Sequence, residues 1–190
     1  MPDFFDLPLL PLLYDVASFP FVATSMAITR SVLEREGSQT VLDVGAGTGS
    51  AALMLGRKFS VTSVEPSSHM REWAQIKGVK VLEGQAQNLP DSLGQFDAVI
   101  ASYIFRYVMP EDFEAVLTPM QSHTKVGGLL VITDLLLPLL GPSAGQRRFL
   151  GVWTLHNPIT LSQTIESRGF KLIASYYPPF SVILVFRREF

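Results

Sequence analysis

The sequence predicts an α/β fold: a three-layer sandwich with a seven-stranded, mostly parallel sheet and an antiparallel strand at its C-terminal end. Three observations predict it. Short apolar runs at 41–44, 60–64, 79–82, 96–101 and 129–133 are separated by stretches of helical character. The first run breaks into a loop with glycine at every second position, Gly45, Gly47 and Gly49, and Ser50-Ala-Ala-Leu-Met-Leu then opens a helix. The last two runs, 171–177 and 181–186, are joined only by a Pro178-Pro179 turn, so they must pair antiparallel.

The elements follow in order. Four prolines within residues 1–20 argue against one long helix there, and one or two helices are expected over 12–35 before Gly37 terminates them. The first strand is 41–44, and its helix runs from Ser50 to about Lys58. The second strand ends at Glu65-Pro66, after which Ser67 or Ser68 caps a helix over 70–77. Strands at 79–82 and 96–101 follow, then a helix over 111–122 that Pro110 introduces. Val126-Gly127-Gly128 reads as a turn into the strand 129–133. A proline-bearing apolar loop over 135–142, helices over 146–157 and 159–168, and the two closing strands complete one domain. Residues 1–36 form its helical cap and 37–190 its core.

Strand, glycine loop and helix make a corner suited to a nucleoside ligand. Glycine lets the chain turn sharply and brings the ligand onto the backbone, and a helix N-terminus presents N–H groups. The G-x-G-x-x-G dinucleotide spacing is not met: the third glycine comes one residue early and Ser50 takes its place. Asp43, two residues before Gly45, would repel a pyrophosphate and attract an ammonium group. Glu65, 22 residues beyond Asp43, falls where βαβ nucleoside sites place an acid against the ribose hydroxyls. A nucleoside with no phosphate and a cationic amino-acid tail fits this charge pattern.

Asp43-Val-Gly45-Ala46-Gly47-Thr-Gly49 resembles the first motif, (D/E)-x-G-x-G-x-G, of the class I S-adenosylmethionine (SAM)-dependent methyltransferases. The similarity extends from about Tyr14 to the end of the chain. It implies a Rossmann-like core and SAM as methyl donor, with S-adenosylhomocysteine as product. It also implies that Asp43, Gly45, Ala46, Gly47, Gly49, Glu65 and Pro66 contact the cofactor, with Met70 against the adenine. Tyr14-Asp15-Val16-Ala17 is similar to the Y-D-x-x-A stretch of many members, which implies that Tyr14 lies near SAM; a packing tyrosine on an amphipathic helix is the alternative. Gly84-Gln85-Ala86-Gln87-Asn88-Leu89-Pro90 resembles the G-D-A-x-x-L-P stretch, with Gln85 where the family has the acid that meets the adenine amine. The Ala86 N–H is then placed for a ring nitrogen. Ser102 at the end of the fourth strand borders cofactor and acceptor. Arg106 and Tyr107 replace the histidine pair common there.

Transfer of a methyl group from a sulfonium is an in-line displacement that alignment and exclusion of water can promote without a universal catalytic residue. Tyr103 and His156 are the catalytic candidates, and Tyr103, Arg106, Trp153 and His156 are placed around the acceptor. The Phe and Leu content of the N-terminal lead-in and of 135–153 suggests a small, largely apolar acceptor; it equally suits a core or a homodimer interface. Two further readings stay open: a SAM-binding cyclase or pericyclase, and a non-catalytic SAM-binding subunit.

Composition narrows the partners. The 190 residues suit one domain with a real core. Net charge is -2 with 15 Lys+Arg and no basic cluster, which argues against nucleic acid. Mean hydropathy is +0.28, yet the longest apolar stretch, 129–140, is broken by Asp134 and Pro138 and is too short to span a bilayer. There is no cysteine, so disulfides and thiolate metal sites are excluded, and no metal is expected. No secretory signal is evident at the N-terminus, and a cytoplasmic location is the expectation.

Overall fold

The computed structural model describes residues 10–136, 147–149 and 153–190. Among them a seven-stranded sheet runs in the order β3-β2-β1-β4-β5-β9-β8, and a separate two-stranded hairpin stands apart from it.

Helix α1 (Leu10–Arg35) leads into β1 (Thr40–Val44), α2 (Ser50–Leu55), β2 (Ser60–Glu65), α3 (Ser68–Ile76) and β3 (Val81–Glu83). Then come β4 (Phe96–Ser102), α4 (Phe113–His123), β5 (Thr124–Leu135), the hairpin strands β6 (Arg147–Phe149) and β7 (Trp153–Leu155), α5 (Pro158–Glu166), β8 (Phe170–Tyr176) and β9 (Ser181–Arg188). Strands β1 to β5 are mutually parallel, and β9 lies antiparallel between β5 and β8. The antiparallel closing pair expected from the Pro-Pro turn is therefore present, with its last strand inserted beside β5.

The alternation along the strands sorts the core into two layers. Leu42, Val44, Val99, Ala101, Leu130, Ile132, Leu184 and Phe186 pack with α4 and α5 on one face. Val41, Ala98, Ile100, Leu129, Val131, Ile183 and Val185 pack on the other with Val22, Met26, Val32 and Leu33 of α1 and Ala51 and Leu55 of α2. Period-two alternation sends neighbouring residues to opposite faces, so these central strands are apolar throughout. The chain winds outward from β1 to β3 and returns to β4, so β1 and β4 are neighbours whose C-terminal ends part to leave a crevice.

Two local readings are corrected. The helix expected over 12–35 is present as one element: α1 is continuous over 26 residues with Pro20 inside, while residues 1–9 lie outside the described residues. Pro11 falls in the first turn, where the missing N–H has no partner to lose. The apolar seat of the segment beyond Val22 offsets the bond that Pro20 removes. The expected helix over 146–157 is instead the β6–β7 hairpin, whose strands carry Phe149, Trp153 and Thr154, residues of high strand preference. Asn157 caps the next helix, its Oδ1 accepting from the Ile159 N–H at 2.9 Å, with Pro158 at the first helical position. The expected turn at 126–128 is an irregularity within β5: pairing with β4 jumps from Phe96–Thr124 to Ala98–Leu129. Gly128 belongs there because a Cβ would lie 2.9 Å from the Asp97 carbonyl oxygen. Among the described residues no helix is long and apolar enough to cross a membrane.

Asp97 binds three strands together. Its Oδ2 accepts from the Gln39 and Thr40 N–H groups at 3.0 and 2.8 Å and from Thr40 Oγ1 at 2.9 Å, while Lys125 Nζ donates to Oδ1 at 2.8 Å. Partial burial pushes its carboxyl up, but Lys125 and the Thr40 and Gln39 donors outweigh this and hold it well below the usual carboxylate range. Such a group stabilises the fold above the ordinary carboxylate pKa, and the gain is lost as pH falls through its own depressed value. Asp97→Ala is expected to cost about 2 kcal/mol at neutral pH, a fall in Tm of roughly 4–8 °C for a chain of this size. Thermal melts at pH 7 and at strongly acid pH check this, the gap between variant and wild type closing only in acid.

Candidate functional site

The crevice between β1 and β4 opens into a cavity of about 370 Å³ lined by Asp43, Gly45, Ala46, Gly47 and Thr48 of the first loop, Ser102 and Tyr103 at the end of β4, Asp15 and Val22 of α1, Ser50, Ala51, Leu53 and Met54 of α2, and Lys77 after α3. Of the sequence-derived site residues, it brings together Asp43, Gly45, Ala46, Gly47, Ser102 and Tyr103.

The loop is bent by three left-handed glycines, with φ of 73°, 54° and 76° at Gly45, Gly47 and Gly49. Their surroundings separate their roles. A Cβ on Gly45 would lie 2.4 Å from Ile104 Cγ2, and one on Gly49 would lie 2.9 Å from Val79 Cγ1 and 3.2 Å from Ala74 Cβ. Gly45 therefore lets the loop close on the segment after β4, and Gly49 lets α2 pack on α3. A Cβ on Gly47 would meet nothing within 4 Å. This loop position alone of the three faces open space.

Glu65, at the end of β2, is buried and holds the loop in shape. Its Oε2 accepts from the Gly47 N–H at 2.9 Å and its Oε1 from the Ser67 N–H at 3.0 Å. Carboxylate oxygens each have two lone pairs, so acceptor capacity remains after these bonds. Asp43 is fully buried beside the cavity, and Ser63 Oγ donates to its Oδ2 at 3.4 Å. Burial pushes its carboxyl up to about 7; Ser63 pulls it down and the neighbouring Glu65 pushes it up again. Ser102 Oγ is buried and has no hydrogen-bond partner among the described residues.

The remaining expected cofactor residues lie outside the cavity lining. Pro66 is exposed after Glu65, and Met70 is buried in the first turn of α3, where its N–H donates to Ser67 Oγ at 3.4 Å. Gln85 is exposed and makes a bridge with Asn88, and Ala86 packs against the core beneath it. The side chains of Tyr14 and Trp153 lie outside the described residues; their backbones belong to α1 and β7.

Tyr103 follows β4 in a left-handed conformation, φ 61°, that a non-glycine residue rarely adopts. Its ring is buried, and its hydroxyl meets Ser25 Oγ of α1 at 2.9 Å; Ser25 in turn meets Ser181 Oγ of β9 at 3.1 Å. The guanidinium carbon of buried Arg106 lies 5.4 Å from the Tyr103 ring centre and 5.1 Å from that of Tyr107. Asp134, at the end of β5, is buried near Arg106. Burial pushes its carboxyl up to about 6, while Arg106 and the Leu135 N–H, at 2.7 Å, pull it down. His156 stands behind this turn and does not line the cavity. Its Nε2 lies 2.7 Å from the Phe105 oxygen and 3.0 Å from the Val108 oxygen, so it carries the proton and donates; burial lowers its pKa, and the two hydrogen bonds pull it back up. The ring packs edge-on against Phe113.

Two features were missed in the sequence. Arg71 Nη1 donates to the backbone oxygens of Glu65 and Pro66 at 2.9 and 2.6 Å, and its Nη2 pairs with Glu83, joining the ends of β2 and β3. Asp15 gathers donors from the first loop and α3 (Thr48, Ser50, Trp73 and Lys77). The aspartate in the Tyr14-Asp15 pair was a visible signal; its partners, far apart in sequence, were not. Among the described residues no group of three or more His, Asp or Glu is placed to hold a metal.

Comparison with known proteins agrees with this geometry. Residues 41–128 match the family described as "Methyltransferase domain". An uncharacterized methyltransferase of Staphylococcus carnosus is 38% identical over 95 residues, 48% of this chain and 45% of that protein. A demethylmenaquinone methyltransferase of Thermotoga maritima is 36% identical over 105 residues, 53% of this chain and 45% of that one. The chain thus spans about half the length of the curated relatives it matches. In fold it is like the SAM-bound amino pentose methyltransferase of Micromonospora echinaspora, with a TM-score of 0.75 at 18% identity, covering 93% of this chain and 96% of that one. The loop after β1, the strand order and the matched stretch agree: over residues 41–128 this chain is similar to methyltransferase domains, and its fold is like theirs.

Proposed function

We propose that the protein transfers a methyl group from SAM to a small, largely apolar acceptor. The observation that carries this is the open face of Gly47 beside the buried Asp43, at the parting of β1 and β4. The residues present fit the cofactor: Gly47 leaves space for it, Ser102 Oγ is an unpartnered buried group at its edge, and Asp43 and Glu65 offer acceptors. Bound there, SAM supplies an electrophilic methyl group on a sulfonium.

In this reading Asp43 takes the ammonium end and Glu65 the ribose hydroxyls, with Met70, Gln85 and Ala86 on the adenine side. Tyr103 stands beside the acceptor. Its buried ring and the Val22, Ala51, Leu53 and Met54 side chains give the cavity an apolar wall that favours an apolar ring over a sugar or peptide. The Thermotoga relative, which acts on a demethylated menaquinone by its name, supports an acceptor of this kind. Arg106 and His156 shape the wall from behind β4. No residue is assigned as a base: alignment of donor and acceptor is the contribution that this site makes.

Incubation with SAM and a panel of acceptors tests the reading. S-Adenosylhomocysteine is expected with hydroxylated or quinonoid aromatic compounds; its formation only with sugars or peptides, or with none of the panel, overturns the acceptor class. Gly47→Ala is expected to fold, since its Cβ enters open space and the left-handed backbone costs about 1–2 kcal/mol, but to lose at least about tenfold in SAM affinity. Gly45→Ala is expected to lose stability first, because its Cβ meets Ile104. Calorimetry and melting curves on the two variants separate these effects.

The buried Asp43 carboxyl links binding to pH. Its raised pKa means that it favours the fold fully below the ordinary carboxylate value and loses that contribution as pH rises through about 7. A bound ammonium favours the carboxylate, so SAM binding at pH 6 is expected to release up to about one proton, fading as pH passes 7. Titrations in buffers of different ionisation enthalpy read this release, and Asp43→Asn is expected to abolish it.

A further inference from the structure

Helix α1 is seated in two ways. From Val22 onward it is bound by burial: Val22, Met26, Val32 and Leu33 lie in the core. Asp15, seven residues earlier and about 10 Å further along the helix, is held by polar contacts. Its Oδ1 accepts from Thr48 Oγ1 at 2.5 Å and Ser50 Oγ at 3.2 Å, and its Oδ2 from Lys77 Nζ at 2.8 Å and Trp73 Nε1 at 3.3 Å. Lys77 Nζ also donates to Ser50 Oγ at 3.1 Å. Pro20, which cannot donate a helical hydrogen bond, lies between the two parts of the helix.

We propose that Asp15 is a positioning residue for cofactor binding, a carboxylate latch that holds α1 and the glycine loop together over the cavity. The inference rests on the cofactor reading above. Two of its four donors, Thr48 and Ser50, belong to the segment that begins at Gly45, and Asp15, Thr48, Ser50 and Lys77 all line the cavity. A contact that orders the loop favours whatever binds the ordered loop, and by linkage the bound ligand favours the contact to the same degree. The latch is polar and partly buried: Asp15 and Lys77 side chains retain 22% and 23% exposure. Four donors on one carboxylate define a single closed geometry.

The test uses the full chain and S-adenosylhomocysteine as probe. Asp15→Ala is expected to raise its dissociation constant about tenfold at a temperature well below the variant's melting transition. Lys77→Met is expected to weaken binding less, and the double variant to be no weaker than Asp15→Ala alone, because both changes open the same latch. Hydrogen exchange adds a readout that mere destabilisation does not move. The ligand is expected to protect the amides of residues 12–20 in the wild type but not in Asp15→Ala, with residues 22–35 equally protected in both. Wild-type affinity in Asp15→Ala, or equal ligand protection of residues 12–20 in Asp15→Ala and wild type, overturns the latch alone. Absence of binding by the wild-type protein overturns both the latch and the cofactor reading.

Discussion

The hydrogen bond from the Gly47 N–H to Glu65 Oε2 fixes the bend on which the cavity depends. A loop that is left-handed at alternate residues turns its N–H groups toward the end of β2. The end of β2 supplies the acceptors: the Gly45 and Ala46 N–H groups both reach the Val64 oxygen, at 2.9 and 3.0 Å, and Gly47 reaches the carboxylate. Leaving a buried donor without its partner costs about 1–3 kcal/mol. The parallel pairing of Val44 with Val64 places these acceptors opposite the loop, so sheet register and loop shape are one constraint.

That constraint brings two acidic side chains to the ends of adjacent strands. Glu65 is compensated by backbone donors, whereas Asp43 has Ser63 as its hydrogen-bond partner and is buried beside a like charge. Burial without a counter-charge is costly unless the group takes up a proton. The arrangement is thus one in which a cation would be welcome, and it supports the reading of Asp43 as the contact for an ammonium group. The nearby lysine does not serve, because Lys77 is engaged by Asp15 and Ser50.

Much of the fold was legible because its signals are local. The strand 41–44, the alternate glycines, Ser67 as a cap and the Pro178-Pro179 turn each act within a few residues, and each reappears in the structure. Errors arose where distant packing decides. Gly127-Gly128, a turn by local chemistry, is drawn into β5, where a Cβ on Gly128 would meet the Asp97 oxygen. The 147–155 stretch pairs as a hairpin although its apolar spacing also suits a helix. In the site, the motif located Asp43 and Gly47 at the cavity, but it did not distinguish the packing roles of Gly45 and Gly49 from the open face of Gly47. The contacts that make this distinction, Ile104, Val79 and Ala74, are remote in sequence.

The insertion of β9 between β5 and β8 bears on the order in which the sheet is completed during synthesis. Residues 181–188 pair with β5 along its whole inner length, from Leu129 with Arg187 to Leu135 with Ser181. Until those residues leave the exit tunnel, β5 has an open hydrogen-bonding edge whose Leu130, Val131 and Ile132 would later be enclosed. An apolar edge of that sort invites pairing with other chains. A growing chain therefore carries this unpaired apolar edge from the emergence of β5 until β9 follows it, and mispairing is the hazard of that interval.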